Sequence, residues 1–203
     1  MNQELTPPFL HKQYDYRNRE SLTPEKKDEE LFAEFFPQLL AAATVARDDD
    51  AISYRNFKVG CSVLAIDAQG QTHVFSAGNK KELKNDAKYC AERGAIEQAT
   101  AAGYTRIVGL ITVSKETSTV RDNETAVEHP AEVLHPCTVC RNLLHLDPLV
   151  DGQTILVMHN DSKENDPKEE RTTVGKLLQS YAKRDHETFN TSDTRYASQD
   201  TPR

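Results

Sequence analysis

The sequence predicts an α/β protein built as a three-layer α/β/α sandwich, with helices on both faces of a mixed sheet. Near the N-terminus, apolar residues recur at three- and four-residue spacings, which is typical of an amphipathic helix. Further along, short β-branched segments alternate with segments rich in alanine and glutamate. The resulting order is strand, strand, helix, strand, helix, strand, helix. This order favours a sheet that is covered on both sides.

Local patterns place the individual elements. A first helix is expected from Glu29 to Arg47, with a kink or a late start because Pro37 falls inside it. Asp67 to Gly70 forms a turn signal between two strands, and Gly103 is a typical helix C-cap. The predicted strands are 57–66, 72–77, 106–113 and 154–159, and the later helices are 89–102, 137–146 and 173–182.

The length of 203 residues suits one domain with polar extensions. We expect a flexible N-terminal tail over residues 1–27, a catalytic domain over 28–185 and a disordered tail over 186–203. Within the domain, residues 114–133 are predicted to be an insertion and residues 161–171 a charged loop.

Composition narrows the class of protein. The net charge of −7 makes a nucleic-acid partner possible but not favoured. No apolar run reaches membrane-spanning length and no export signal is present, so we expect a cytoplasmic protein without a membrane partner. A reducing compartment would keep the four cysteines as thiols, which favours metal binding or catalysis over disulfides.

Three cysteines have the spacing of a catalytic zinc site. Cys90 opens one predicted helix and Cys137 opens another, where backbone N–H groups and the helix dipole favour the thiolate. Cys140 lies one helical turn after Cys137, so both sulfurs can face one point. Three protein ligands leave the fourth position of tetrahedral zinc to water, as in catalytic zinc sites.

Glu92 lies two residues after the first cysteine, close enough to reach bound water without binding the metal. The pattern of His or Cys, any residue, Glu, then Pro-Cys-x-x-Cys is the signature of zinc nucleobase deaminases, in which the glutamate is the general acid/base. The motif therefore predicts a zinc-dependent hydrolytic deaminase acting on a nucleobase, with Glu92 as the catalytic residue.

Two arginines are predicted to support this site. Three thiolates exceed the charge of Zn²⁺ by one, which makes the zinc a poorer Lewis acid. Arg93 and Arg141 are the nearest positive side chains in sequence and could offset this charge. We expect Arg93 to lie against a ligand sulfur.

The sequence resembles the cytidine deaminase family, the small nucleoside deaminases of pyrimidine salvage, over about residues 54–157. The matching segments are Tyr54-Arg55-Asn56-Phe57-Lys58-Val59-Gly60, Gly78-Asn79, Cys90-Ala91-Glu92-Arg93 and Pro136-Cys137-Thr138-Val139-Cys140-Arg141. The resemblance implies the cytidine deaminase-like fold and attack of a zinc-bound hydroxide on pyrimidine C4, with release of ammonia. It implies substrate contacts from Phe57 near the base, Asn79 at the ribose hydroxyl, and Ala91. It also implies a homo-oligomer, either a tetramer or a dimer, with active sites completed across interfaces.

Departures from the family pattern keep other substrates open. Lys81 stands where the family usually has a ribose-binding glutamate, although Glu82 follows it immediately. Lys80, Lys84 and Lys88 crowd the same loop. A basic loop suits a phosphate, so the alternative substrate is a cytosine nucleotide, a modified nucleoside or single-stranded nucleic acid. The plainer interpretation of these lysines is a solvated surface without a ligand. Tyr181 is the only rough equivalent of the family's C-terminal aromatic residue.

Alternatives to a catalytic zinc site each leave part of the motif without a role. A structural zinc site would need a fourth ligand, for which Cys61 and His135 are the nearest candidates, and would leave Glu92 unexplained. A redox Cys-x-x-Cys pair would leave Cys90 unexplained. Cys61 itself is expected to be a small buried hydrophobic residue, and ordinary core packing explains Phe57 about as well as base contact. A catalytically silent zinc-binding scaffold is the alternative outside the enzymes.

Overall fold

The computed structural model describes residues 22–53, 57–82, 89–115, 119–122, 125–128, 133–161 and 167–181. The helices are α1 (Lys26–Val45), α2 (Ala91–Ala101), α3 (Thr138–Leu146) and α4 (174–181), and a π-helical turn (Ala46–Asp50) follows α1. The strands are β1 (Ile52–Ser53), β2 (Val59–Ile66), β3 (Thr72–Gly78), β4 (Lys80–Lys81), β5 (Arg106–Ser114), β6 (Thr119–Asp122), β7 (Thr125–Glu128), β8 (Ile155–Asn160) and β9 (Lys168–Thr173).

Five of these strands form a mixed sheet in the order β3-β2-β5-β8-β9. Strands β5 and β8 are parallel, and the other neighbours in this sheet are antiparallel. Helix α1 covers one face through an apolar cluster that includes Phe32 and Leu39. Helices α2, α3 and α4 cover the other face through a cluster that includes Ile96, Leu144 and Leu177. The predicted three-layer α/β/α sandwich is therefore confirmed.

Strand β5 lies at the centre of the sheet and contributes to both clusters. Leu110 packs on the α2 side and Ile111 on the α1 side, as expected for a nearly continuous apolar strand. Gly109 leaves room for the Phe32 ring, because a Cβ atom there would lie 2.5 Å from Phe32 Cδ2. Helix α1 therefore packs very close to the sheet at this position.

The start of α1 differs from the sequence prediction. The helix begins at Lys26 and continues through Pro37, so the late start considered for it is wrong. Before it, Leu22 is buried and its carbonyl accepts a hydrogen bond from Thr173 Oγ1 at 3.0 Å. For residues 22–27 the predicted flexible tail is therefore wrong, because Leu22 is anchored to β9 and α1 already begins at Lys26. Residues 1–21 and the predicted tail over 186–203 lie outside the described residues.

The π-helical turn contains a fully buried arginine. Arg47 is 1% exposed, and its guanidinium donates to both carboxylate oxygens of Asp161, at 2.7 Å each. It also donates to both oxygens of Asp48, at 2.8 and 3.0 Å. The turn packs against Gly60 and Gly78 so closely that a Cβ atom at either glycine would overlap backbone atoms of the turn. These contacts hold the turn against the ends of β2 and β3.

Two polar segments contain strands that we did not predict. The charged loop expected over residues 161–171 contains most of β9, which pairs with β8 from Lys168 to Thr173. The insertion expected over 114–133 contains the antiparallel pair β6 and β7. The remaining predicted elements are found within a few residues of their expected bounds, and Gly103 follows α2 with a φ of 82°, as its predicted C-cap role requires. None of the helices in the described ranges combines the length and apolar composition needed to span a bilayer.

Candidate metal centre and active site

The three predicted ligand sulfurs lie together where α2 and α3 begin. Cys90 is the N-cap of α2 and Cys137 is the N-cap of α3. The Cys90 and Cys137 sulfurs are 3.9 Å apart, the Cys137 and Cys140 sulfurs are 3.6 Å apart, and all three lie within 4.8 Å of one another. Zn–S bonds of about 2.3 Å in a tetrahedron would separate ligand sulfurs by about 3.8 Å. The spacing therefore fits a thiolate-bound zinc ion.

The electrostatics of the cluster also suit a divalent cation. The contact with Cys90, burial and the nearby Glu92 carboxyl group all raise the pKa of the Cys140 thiol. A bound cation would reverse this effect, because metal binding stabilises thiolates. The positive dipole ends of α2 and α3 add to that stabilisation.

The Glu92 carboxyl group lies beside the sulfur cluster in the first turn of α2. The residue is 7% exposed, and burial raises the pKa of its carboxyl group, although hydrogen bonds from its own backbone and from Cys140 partly oppose the shift. A buried carboxyl group with a raised pKa can carry a proton near neutral pH and pass it on. Glu92 therefore has the surroundings that a proton shuttle requires.

A cleft of about 180 Å³ lies between α2 and α3. It is lined by Cys90, Arg93, Glu97, Val139, Cys140 and Leu143. Two of the sulfur-bearing residues therefore border a solvent-accessible cavity, which gives the cluster an open side.

Arg93 borders this cleft and is held by α2. Its Nε donates to Glu97 Oε1 at 2.6 Å, and its guanidinium carbon lies 5.3 Å from the centre of the Tyr89 ring. Glu97 in turn accepts a hydrogen bond from Tyr89 Oη at 2.5 Å. We did not predict a role for Glu97, although its spacing of four residues from Arg93 is a helical ion-pair signal. The predicted contact between Arg93 and a ligand sulfur stays a prediction.

Arg141 contacts the residues on both sides of Cys137. Its Nη1 donates to the Pro136 carbonyl at 2.9 Å, and its Nη2 donates to Thr138 Oγ1 at 3.0 Å. Its guanidinium carbon lies 3.8 Å from the centre of the Tyr181 ring. The sequence placed Arg141 near the metal, but the contact with Tyr181 joins residues forty positions apart and has no local signal.

The predicted substrate residues Phe57 and Asn79 are joined by the Asn79 side chain. Asn79 Nδ2 donates to the Phe57 carbonyl at 2.9 Å, and Asn79 Oδ1 accepts from the Val59 N–H at 2.8 Å. A carboxamide has two N–H groups and two lone pairs on oxygen, and these two hydrogen bonds to described residues use one of each. Ala91 is fully buried with its side chain in the core. Substrate contacts from these residues stay predictions.

The basic loop is described only in part. Lys80 and Lys81 form β4, in which Lys80 pairs with Ile52 and Lys81 with Ser53. Lys80 is exposed and Lys81 is half-buried. Lys84 and Lys88 lie outside the described residues.

Neither candidate for a fourth protein ligand joins the cluster. Cys61 is fully buried on β2, and burial raises the pKa of its thiol well above the ordinary value, as expected of a small hydrophobic residue. His135 Nε2 lies 3.0 Å from Glu170 Oε2. Within the described part of the chain, the metal-compatible group contains Cys90, Cys137 and Cys140 alone. The structure therefore favours an open site over a closed structural zinc site.

Three sulfurs at two helix starts, with a buried glutamate beside them, are the features expected of the site of a zinc-dependent hydrolytic deaminase. The sequence matches the family described as the cytidine and deoxycytidylate deaminase zinc-binding region over residues 35–147. This match covers more than half of the chain, and the chain belongs to this family of zinc-binding hydrolytic enzymes.

Several solved structures are similar to this chain. Cytidine deaminase from Burkholderia pseudomallei is 25% identical, with 70% of this chain and 94% of that chain covered and a TM-score of 0.49. Cytidine deaminase from Mycobacterium tuberculosis is 22% identical, with 70% and 93% covered and a TM-score of 0.45. Cytidine deaminase from Mycobacterium leprae is 22% identical, with 70% and 96% covered and a TM-score of 0.45. No curated protein matches the sequence.

Proposed function

We propose that this enzyme removes the amino group of a cytosine nucleoside by hydrolysis, converting cytidine or deoxycytidine to the uridine form with release of ammonia. One observation carries the proposal: three cysteine sulfurs lie within 4.8 Å of one another, with the buried Glu92 carboxyl group beside them. An open thiolate cluster with an adjacent carboxyl group matches what hydrolytic deamination of a cytosine ring requires.

Each residue of the site has a proposed role. Cys90, Cys137 and Cys140 hold the zinc ion, which supplies Lewis-acid activation of water when bound. The Glu92 carboxylate takes a proton from the attacking water. It returns this proton to ring nitrogen N3 as the hydroxyl group adds to C4. It then carries the proton of the new C4 hydroxyl group to the exocyclic nitrogen, so that the C4–N bond breaks, ammonia leaves and the C4 carbonyl group forms.

The substrate side of the site is assigned to the ends of β2 and β3. Phe57 packs against the core cluster that contains Ala91 and is only partly buried, and we assign its uncovered part to contact with a flat base. The carboxamide of Asn79 is held by two backbone hydrogen bonds and keeps hydrogen-bonding capacity that a ribose hydroxyl could use.

A cytosine nucleotide is the second candidate substrate. Lys80 and Lys81 follow Asn79 directly, so two positive charges come next in the chain after the residue assigned to the sugar. A lysine at the sugar end of a nucleoside site would favour a phosphate group.

A panel of substrates tests both candidates. Ammonia release would be measured with cytidine, deoxycytidine, their monophosphates and a single-stranded oligonucleotide, on protein of measured zinc content. Faster turnover of a nucleoside supports the main proposal, and faster turnover of a monophosphate supports the second candidate. Zinc-loaded protein that releases no ammonia from any of them would be a scaffold.

Glu92→Gln is expected to keep zinc and to lower kcat by about 10²- to 10⁴-fold, because the amide has the shape of the carboxyl group but cannot shuttle a proton. The readouts are steady-state ammonia release and zinc content. Glu30→Gln is the control, since Glu30 is an exposed carboxylate on α1, and it should keep the parent rate. A Glu92→Gln variant with more than a tenth of the parent kcat would exclude the assigned role.

We also infer a homo-oligomer that works in the cytoplasm in pyrimidine salvage. Val139 and Leu146 on α3 are 58% and 65% exposed, which supports a subunit contact along this helix. Three of the four cysteines are assigned to zinc rather than to disulfides, which supports a reducing compartment. Light scattering after size-exclusion chromatography would test the assembly, and a monomer at micromolar concentration would exclude it.

A further inference from the structure

The Arg141 side chain binds the residues on both sides of Cys137. Arg141 donates from Nη1 to the carbonyl of Pro136 and from Nη2 to the hydroxyl of Thr138, so its guanidinium spans the residues before and after Cys137. The backbone N–H of Arg141 also donates to the Cys137 carbonyl, at 2.8 Å. A planar guanidinium presents its donors in a rigid fork, so this arrangement restricts the loop more than single hydrogen bonds would.

Helix α4 holds the guanidinium in place. The guanidinium carbon of Arg141 lies 3.8 Å from the centre of the Tyr181 ring, which is a close cation–π contact. Tyr181 is partly buried against the same core cluster that contains Val174 and Leu177. The Tyr181 ring therefore holds the Arg141 fork from the side of α4.

Strand β9 provides a second connection to the same loop. His135 Nε2 lies 3.0 Å from Glu170 Oε2, and Glu170 pairs with Met158 across the β8–β9 ladder. The His135 ring also meets the Tyr181 ring edge-on, with centres 6.3 Å apart and planes at 70°. The residues just before Cys137 are therefore joined both to the edge of the sheet and to α4.

These contacts matter most for Cys137 because it is the exposed member of the cluster. Cys140 is buried and Cys90 is half-buried, whereas Cys137 is exposed at the N-cap of α3. Packing therefore restrains the Cys137 side chain less than that of Cys140, and the position of its sulfur depends more on the backbone that carries it.

We propose that Tyr181 and Arg141 are positioning residues that fix Cys137 as a zinc ligand, so that the contact between these two side chains sets how firmly the metal is held. This inference rests on the zinc site of the proposed function. Residues that orient metal ligands typically change metal affinity by about 10- to 100-fold, although they do not touch the metal.

The main test compares Tyr181→Leu with Tyr181→Phe. Zinc-loaded protein is mixed with an excess of a chromogenic chelator, and the rate of zinc transfer is measured. We expect Tyr181→Leu to release zinc about 3- to 30-fold faster, the range of one cation–π contact. Tyr181→Phe keeps the ring beneath the guanidinium and should release zinc within about twofold of the parent rate.

A stability control separates positioning from simple loosening of α4. Val174 is buried on the same helix, seven residues or about 10 Å from Tyr181, so Val174→Ala should lower Tm without speeding zinc release. Arg141→Lys keeps the charge but loses the fork, and it should also release zinc faster. Combining Arg141→Lys with Tyr181→Leu should add little, because both changes act on one contact.

The outcomes distinguish this inference from the proposed function. Zinc-containing, active parent protein together with a Tyr181→Leu variant that releases zinc at the parent rate would overturn the positioning role and leave the deaminase assignment intact. If Val174→Ala speeds zinc release as much as Tyr181→Leu does, with the two variants compared at the same fall in Tm, the positioning role is also overturned. Parent protein that binds no zinc would overturn both.

Discussion

Replacing Arg47 with methionine should destabilise the fold more than any change to an exposed ion pair. Arg47 is 1% exposed, and its Nε, Nη1 and Nη2 atoms donate to Asp48 and Asp161 at 2.7 to 3.0 Å. Arg47→Met keeps much of the aliphatic side chain and removes every one of these donors. The two carboxylates are then left without their shared cation.

The loss in the free energy of unfolding can be estimated from how exposed the two carboxylate partners of Arg47 are. Breaking a buried ion pair by removing one partner costs about 3–5 kcal/mol. Asp161 is 26% exposed and Asp48 is 47% exposed, so both recover part of their hydration when the guanidinium is removed. We therefore expect a loss of about 2–4 kcal/mol in the free energy of unfolding. For a chain of this length, that corresponds to a fall in Tm of about 4–16 °C.

Thermal unfolding followed by circular dichroism in zinc-containing buffer measures this effect. Lys26→Met is the matched control, because the Lys26–Glu30 pair is 91% and 67% exposed and should contribute almost nothing. A double variant, Arg47→Met with Asp161→Leu, should recover part of the lost stability by removing the carboxylate that faces the vacated site. An Arg47→Met variant that melts within about 2 °C of the parent, measured against the scale expected for such a loss, would refute the argument.

Two further predictions concern the same π-helical turn. A Cβ atom at Gly60 would lie 1.9 Å from the Ala43 carbonyl oxygen, so Gly60→Ala must displace backbone and should lower the free energy of unfolding by about 3 kcal/mol, seen as a fall in Tm. Gly70 has open space around it but a φ of 82°, so Gly70→Ala should cost only about 1 kcal/mol. An equal loss in both variants would contradict the packing argument. The hydrogen bond from Arg47 lowers the pKa of Asp48 below its ordinary value of 3.8, so the stability that Asp48 contributes is present above that pH and is lost as pH falls through the lowered pKa. The difference in Tm between the parent and Asp48→Asn should therefore shrink below about pH 3.8, and a constant difference down to about pH 2.5 would contradict this.

The metal site could be predicted from the sequence because the spacing of its residues is local. Cys137 and Cys140 are one helical turn apart, and Glu92 is two residues from Cys90, so spacing alone predicts which side chains share a helix start. The fold class followed from the same kind of evidence, since the apolar run of β5 has the composition of a strand that is buried on both faces.

The remaining features lack such local signals. Strand β9 reads Lys-Glu-Glu-Arg-Thr-Thr, which is typical of an exposed edge strand and also of a loop, so composition alone cannot separate the two. Burial of Arg47 depends on Asp161, which is 114 positions away and reaches the turn only after β8 has joined the sheet. The contact of Arg141 with Tyr181 is long-range in the same sense.

The separation of 47 positions between Cys90 and Cys137 gives the metal a mechanical role in addition to its chemical one. An ion that binds both residues closes a loop containing β5 and the β6–β7 pair, much as a covalent cross-link would. Unlike a disulfide, this closure exists only while the ion is bound, so it would stabilise the fold through binding to the folded site rather than by restricting the unfolded chain. Zinc binding and folding should therefore be coupled, so that the folded fraction of the chain rises with the concentration of zinc.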